Sequence, residues 1–339
     1  MKGKKAICVL LLLAAIAILP GCGKKVRSAM GSGSIVALIR TDANAEAADA
    51  LAEFLGRDRY LVPRPEKPFK ITQMTIAGLD SHRYDKNIVL LCDVSEKGEL
   101  LKTVRNILSE EDRRQLGRGE SRAISLSDSW GKFQNVVVIA APSSEKLLRL
   151  VEDEGAAIVD RLEEDVIGVM VRMFAERTVV PGLGSRAVSR DGWSLQLPEG
   201  YRMKAEKEDV PLLHFEAAAP PRIVFVHWYE GTPEMTVDDL IEFRSRFGWD
   251  QYDEDEIAEG RVRGQVTTLA GNPAVRIEGL WQNAKYTIGG PFITYLVLCP
   301  DGKQTILLDL IVYAPGMDQV RYLRELEAVA RTLKCSAGT

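Results

Sequence analysis

FITYLVLCPDGKQTILLDLIVY, residues 292–313, holds the reading on which the fold turns. Two apolar runs, 292–299 and 304–313, flank Pro300-Asp301-Gly302-Lys303, a Gly-containing loop of the kind that closes a β-hairpin. Strands joined this tightly can only pair antiparallel. Moving outward, 262–269 and 274–281 are strands about a turn at Gly271-Asn272-Pro273, and 192–197, 212–217 and 223–229 precede them. Thr236 and Asp239 form a capping box that opens a helix over 237–248. A last helix, 318–333, places Val320, Leu323, Leu326, Ala330 and Leu333 on one face. Consecutive hairpins flanked by helices make this half α+β.

The first half alternates strands (34–40, 69–76, 87–94, 135–141) with helices (44–55, 98–108 and a long one over 143–176). The stretch NVVVIAA at 135–141 is apolar throughout, as a strand covered on both faces must be. Residues 110–121, EEDRRQLGRGES, read as a solvated loop. Pro181-Gly182-Leu183-Gly184 ends the long helix and marks a boundary. The expectation is an α+β chain of two domains, 34–178 and 186–335, each a mainly antiparallel sheet packed with helices.

The N-terminus carries an address. Lys2, Lys4 and Lys5 precede AICVLLLLAAIAIL, residues 6–19, a charge-free run too short to span a bilayer as a helix. Leu19-Pro20-Gly21-Cys22 follows and resembles the lipobox of bacterial lipoprotein precursors. The resemblance implies a signal peptide over 1–21, cleavage before Cys22, and lipid on the Cys22 thiol and its new amino group. Acyl chains contribute about 0.8 kcal/mol per buried methylene, so such an anchor would not be released. Residues 22–33 continue as a small, basic tether with a reach of about 20 Å. Gly23 stands where inner-membrane lipoproteins commonly carry Asp, and no acidic export patch follows. The resemblance therefore implies the periplasmic leaflet of the outer membrane, with the bilayer as the first partner.

Without residues 1–21 the chain has 41 basic against 48 acidic side chains, a balance of −7 with no basic stripe, which excludes nucleic acid as a partner. Cys92, Cys299 and Cys335 remain beyond Cys22; Cys92 lies in an apolar strand, and Cys299 and Cys335 can pair if the last helix ends over the strand carrying Cys299. His82, His214 and His227 have no paired-ligand spacing, no CxxC is present, and no GxSxG elbow occurs. No cofactor, metal site or catalytic set is therefore assigned.

Several residues stand out by position. Arg244 falls on the edge of the apolar stripe of the 237–248 helix, and Asp309 shares a strand face with Leu307 and Ile311. An unpaired buried charge is costly, so Arg244 is expected to pair with Asp309 or Glu278, as a structural ion pair or an anion-binding group. Trp130 and Gln134 before a buried strand, and Gly289 and Gly290 at a strand entrance, are candidates for lining a cleft, or else a loop anchor and a bulge. The acidic residues Asp250, Asp253, Glu254, Asp255 and Glu256 lack calcium-loop spacing and read as a solvated loop.

Asp128-Ser129-Trp130-Gly131-Lys132-Phe133-Gln134, Leu240-Ile241-Glu242-Phe243-Arg244, Gly289-Gly290-Pro291-Phe292, Val312-Tyr313-Ala314-Pro315 and Tyr322-Leu323-Arg324-Glu325-Leu326-Glu327 together resemble a lipoprotein family catalogued as domain of unknown function 4837. The family implies an architecture and no activity. The second half also resembles PsbP-type α/β sandwiches, a likeness of fold, which does not carry function. The functional expectation is a membrane-anchored envelope lipoprotein acting as a non-enzymatic binding or assembly module for an envelope protein or ligand. The alternatives are an envelope hydrolase using carboxylates such as Asp309 or Asp128, or a carrier of lipid or a small ligand.

Overall fold

The computed structural model describes residues 27–177, 192–207, 210–231, 236–300, 302 and 304–335. The signal-peptide, Cys22 and domain-boundary readings at 1–21, 22 and 181–184 lie outside the described residues. Among the described residues no helix is long and apolar enough to cross a membrane.

The N-terminal domain runs β1 (Ile35–Arg40), α1 (Ala45–Leu55), β2 (Lys70–Thr75), α2 (Leu79–His82), β3 (Asn87–Asp93), α3 (Glu99–Ile107), α4 (Glu110–Gly117), β4 (Arg122–Ser127), β5 (Asn135–Ala141) and α5 (Ser144–Arg177). Its sheet has the order β2-β1-β3-β5-β4. Here the expected antiparallel sheet is corrected: β1 pairs parallel with β2 and β3, β3 pairs parallel with β5, and only β4–β5 is antiparallel. The cause is the connections, since α1 and α2 lie between successive strands and a helical crossover returns the chain in the same direction. Period two then divides the strand residues between two faces. Val36, Leu38, Val89, Leu91, Val137 and Ile139 meet α1 and α5 on one side. Ala37, Ile39, Ile88, Leu90, Val136 and Val138 meet α3 and its neighbours on the other. Residues 110–117 are helical rather than loop: the Ser109 hydroxyl accepts from the Asp112 amide at 3.1 Å, Glu110, Glu111 and Asp112 complement the first turn, and Leu116 is buried.

The C-terminal domain keeps the expected α+β, antiparallel plan. After β6 (Trp193–Ser194) come β7 (Tyr201–Lys207), β8 (Leu212–Ala218), β9 (Pro221–Glu230), α6 (Val237–Gln251), β10 (Glu256–Leu269), β11 (Asn272–Asn283), β12 (Ile288–Leu298), β13 (Gln304–Val312), α7 (Val320–Ala330) and β14 (Lys334–Cys335). The seven-stranded sheet has the order β10-β11-β12-β13-β9-β8-β7, every pairing antiparallel. One face carries Ile277, Phe292, Leu296, Leu307 and Ile311 against Leu240 of α6. The other carries Ile293, Tyr295, Val297, Ile306 and Leu308 against Leu323, Leu326 and Val329 of α7. The capping box at Thr236 and Asp239 is formed. A disulfide joins Cys299 to Cys335 with the Cα atoms 5.6 Å apart, and β14 pairs with β6 beside it. Cys92 is a buried free thiol, pushed up to about 12 by burial and the neighbouring Asp93 charge.

The two domains meet along α5 and α7. Arg324, fully buried, donates through Nε and Nη2 to the two oxygens of Glu163 at 2.6 and 2.5 Å, and through Nη1 to Ser34 Oγ at 3.0 Å. Its guanidinium lies 4.5 Å from the Phe69 ring centroid, and the Tyr60 hydroxyl donates to the same Glu163. Glu66 Oε2 accepts from the Gln319 and Val320 amides at 2.8 and 3.0 Å, so a carboxylate of one domain satisfies the helix start of the other.

Candidate ligand cleft

Beside this seam lies a cleft of about 780 Å³ whose walls come from both domains. Arg276 and Glu278, two apart on β11, share a face of the sheet, and strand register sets their neighbours: Tyr295 opposite Arg276 on β12, and Arg263 opposite Glu278 on β10. Arg276 Nε donates to the Tyr295 hydroxyl at 3.0 Å and Nη2 donates to Glu278 Oε2 at 2.7 Å. Nη2 also lies 3.8 Å from Glu327 of α7, to which the Tyr295 hydroxyl donates. Arg263 pairs with Glu278 and donates to the Arg59 carbonyl at 2.6 Å. On the opposite wall Arg331 holds Glu164 of α5 through both terminal nitrogens, at 2.5 and 2.9 Å. Thr267 and Thr268 of β10 line one end of the cleft.

The electrostatics follow from that network. Burial works against the charges of Arg276 and Arg331, but Glu327, Glu278 and Glu164 outweigh it and hold both guanidinium groups above their usual range. Burial, reinforced by the adjoining carboxylates, raises the Tyr295 and Tyr60 hydroxyls well above theirs. The cleft therefore presents fixed cations, anions and neutral phenols in alternation. Arg276 lies against both Glu278 and Glu327, at 2.7 and 3.8 Å from its Nη2, so two carboxylates, the residue type a glycosidase uses, face one guanidinium. The same guanidinium pairs with both, where a hydrolytic pair needs one proton donor and one free base.

The residues singled out in the sequence lie elsewhere. Arg244 and Asp309 do form an ion pair, Nε to Oδ2 at 3.3 Å, with both side chains fully buried under α6. Thr294 Oγ1 donates to Asp309 Oδ1 at 2.6 Å, and the guanidinium lies 4.2 Å from the Phe292 ring centroid. Glu278, the other partner considered for Arg244, belongs to the cleft. Trp130 and Gln134 are corrected as cleft residues. Gln134 is buried, accepts from the Trp130 amide at 3.0 Å and donates to the Arg83 and Asp85 carbonyls at 2.7 and 2.9 Å, fastening a loop. Gly289 and Gly290 are likewise corrected: they lie within β12, where a Cβ on Gly290 would stand 2.1 Å from the Val312 carbonyl oxygen and one on Gly289 would stand 2.6 Å from that of Trp281. They permit close strand approach, and neither lines the interdomain cleft. Asp128 is held by Arg172 at 2.7 Å, and although burial opposes its charge, Arg172 and the Gln134 and Phe133 amides keep its carboxyl below the usual range. Asp255 of the acidic run is buried and accepts from Asn283 Nδ2 at 2.9 Å. Among the described residues no cluster of His, Cys, Asp or Glu could hold a metal. Sequence reading missed Arg276, Glu278 and Glu327 as a group. The one available signal was the period-two spacing of Arg276 and Glu278 in an otherwise apolar strand.

An α/β domain whose sheet is parallel but for one edge strand, packed against a seven-stranded antiparallel sheet with helices on both faces, makes this a two-domain α+β protein. Residues 185–332, within the C-terminal domain, match the family described as domain of unknown function (DUF4837). The resembling stretch at 128–134 falls outside the matched residues. Curated proteins give no match. Among solved structures, that of LpqN, involved in cell envelope biogenesis of Mycobacterium tuberculosis, is 12% identical over 42% of this chain and 83% of its own, with a TM-score of 0.31. A crystal structure from Bacteroides thetaiotaomicron VPI-5482 is 12% identical over 42% of this chain and 45% of its own, with a TM-score of 0.27.

Proposed function

We propose that the protein is a lipid-anchored envelope lipoprotein, tethered through Cys22 to the periplasmic leaflet of the outer membrane, whose body binds a polar envelope component in the interdomain cleft. The cleft carries the binding half of this reading: it is open, built by both domains, and lined by matched donors and acceptors rather than one sign of charge. Such a lining suits a polyhydroxylated ligand, which both donates and accepts hydrogen bonds. Every cleft carboxylate named above is engaged by an arginine, which favours holding a ligand over transferring protons. The anchoring half rests on residues 1–22.

Two measurements test it. Radiolabelled palmitate should enter the wild-type protein and not Cys22→Ala; labelling that persists in the variant refutes the anchor. Titration calorimetry of the soluble body with peptidoglycan-derived glycan fragments should give saturable binding, weakened about tenfold by Arg263→Ala. Absence of saturable binding refutes the cleft assignment, and release of shortened glycan would move the protein to the hydrolase class.

A further inference from the structure

A second cavity, of about 300 Å³, opens on the α6 side of the C-terminal sheet, away from the interdomain cleft. Leu212, Ile223, Phe225, Trp281 and Ile311 form its apolar walls, and Tyr252, in the turn after α6, closes it. The Tyr252 ring stacks on Phe225 with centroids 3.8 Å apart. Its hydroxyl is buried without a hydrogen bond of good geometry and lies against the Asp309 carboxyl behind the wall, so the ring, not the hydroxyl, is what Tyr252 offers the cavity.

The wall carries two carboxylates, Asp253 and Asp255; His214 also lines the cavity, and no Lys or Arg does. Asp255 accepts one hydrogen bond from Asn283, and no basic side chain pairs with it among the described residues. Asp253, at the rim, is exposed and bonded to Lys285 Nζ at 3.1 Å. Arg244 lies behind the wall, with Asp309 as its counter-ion. A carboxylate ligand would meet two carboxylates and no lining cation. A cation with an apolar body would meet aromatic rings and the Asp255 carboxylate, which among the described residues is bonded to Asn283 and to no basic side chain.

We infer that this cavity is a binding site for a small organic ammonium carrying an aromatic or branched apolar body. The site is independent of the cleft proposed above. Burial raises the Asp255 carboxyl above its usual range, as expected of a carboxylate waiting for a cation.

The test is a ligand series of constant shape and changing charge, titrated calorimetrically into the soluble body at pH 7: phenethylammonium, 2-phenylethanol and phenylacetate. The ammonium should bind about tenfold more tightly than the alcohol, and phenylacetate should bind more weakly than both. Asp255→Asn should bring the ammonium down to the affinity of the alcohol and leave the alcohol unchanged, whereas Arg263→Ala in the cleft should alter neither. Phenylacetate binding as tightly as the ammonium overturns the inference, as does equal affinity for ammonium and alcohol or no saturable binding at all. The wild-type series decides the matter by itself if Asp255→Asn does not fold.

Discussion

Replacing Arg244 by Met, Asp309 by Leu, and then both together, isolates the interaction on which the α6 side of the C-terminal sheet depends. Both side chains are fully buried with 3.3 Å between Nε and Oδ2. None of the guanidinium nitrogens has a hydrogen bond of good geometry, so Asp309 is its main counterweight, with the Phe292 ring second. Removing Arg244 leaves a buried carboxylate with only the Thr294 and Tyr252 hydroxyls beside it. Removing Asp309 leaves a buried cation with no counter-ion bonded to it. Each single change is expected to cost about 3–5 kcal/mol. The double replacement restores an apolar layer of similar volume, and such exchanges of buried pairs are often neutral or stabilising. The double variant should therefore be no less stable than either single one, a coupling of at least ~3 kcal/mol. Urea unfolding followed by circular dichroism, with midpoints and slopes fitted together, supplies the three differences. Losses that simply add would show that the two charges are held independently, and the pairing would have to be abandoned.

Three further outcomes follow from the geometry. Cys335→Ser opens a loop with a sequence separation of 36, and the chain-entropy relation gives a loss of about 4 kcal/mol; a reduced wild-type protein melting with the oxidised one would contradict it. Gly290→Ala drives a methyl group into the Val312 carbonyl and should cost about 2–3 kcal/mol, while Gly98→Ala, with open space around it, should stay within about 0.5 kcal/mol; equal melts for the two variants would count against close strand approach. Stability should also fall with acid in two steps. Burial holds His227 below its usual range despite the Pro211 carbonyl, so the unfolded chain takes up a proton first and stability drops as the pH goes below about 6.5. The depressed Asp128 carboxyl adds a second loss below about pH 4, where the unfolded carboxylate protonates first. His227→Phe should remove the first step and Asp128→Asn should shrink the second, which the depressed carboxyls of Asp93, Asp239 and Asp253 share; a profile unchanged in both variants would rule the assignment out.

Much of the C-terminal domain is legible locally. The hairpin at 292–313, the capping box at Thr236 and the α7 stripe are all written within a dozen residues, because backbone geometry forces side chains to repeat every two or 3.6 positions. The Arg244–Asp309 pair was foreseeable for a related reason: a charge on each of two core-facing stripes has few places to go. The parallel pairing of the first sheet was less accessible, since β3 and β5 read as buried strands whichever way their neighbours run.

Short-range pattern by itself determined most of the elements, their faces and the few partners open to isolated buried charges. Tertiary structure alone decided where distant polar residues converge. Glu163 and Glu164 of α5, Arg276 and Glu278 of β11, and Glu327 and Arg331 near the C-terminus meet only because α5 and α7 pack across the domain seam. Each of these residues is an ordinary charged side chain in its own stretch of sequence. They become a cleft through distances between elements, and those distances are set by packing.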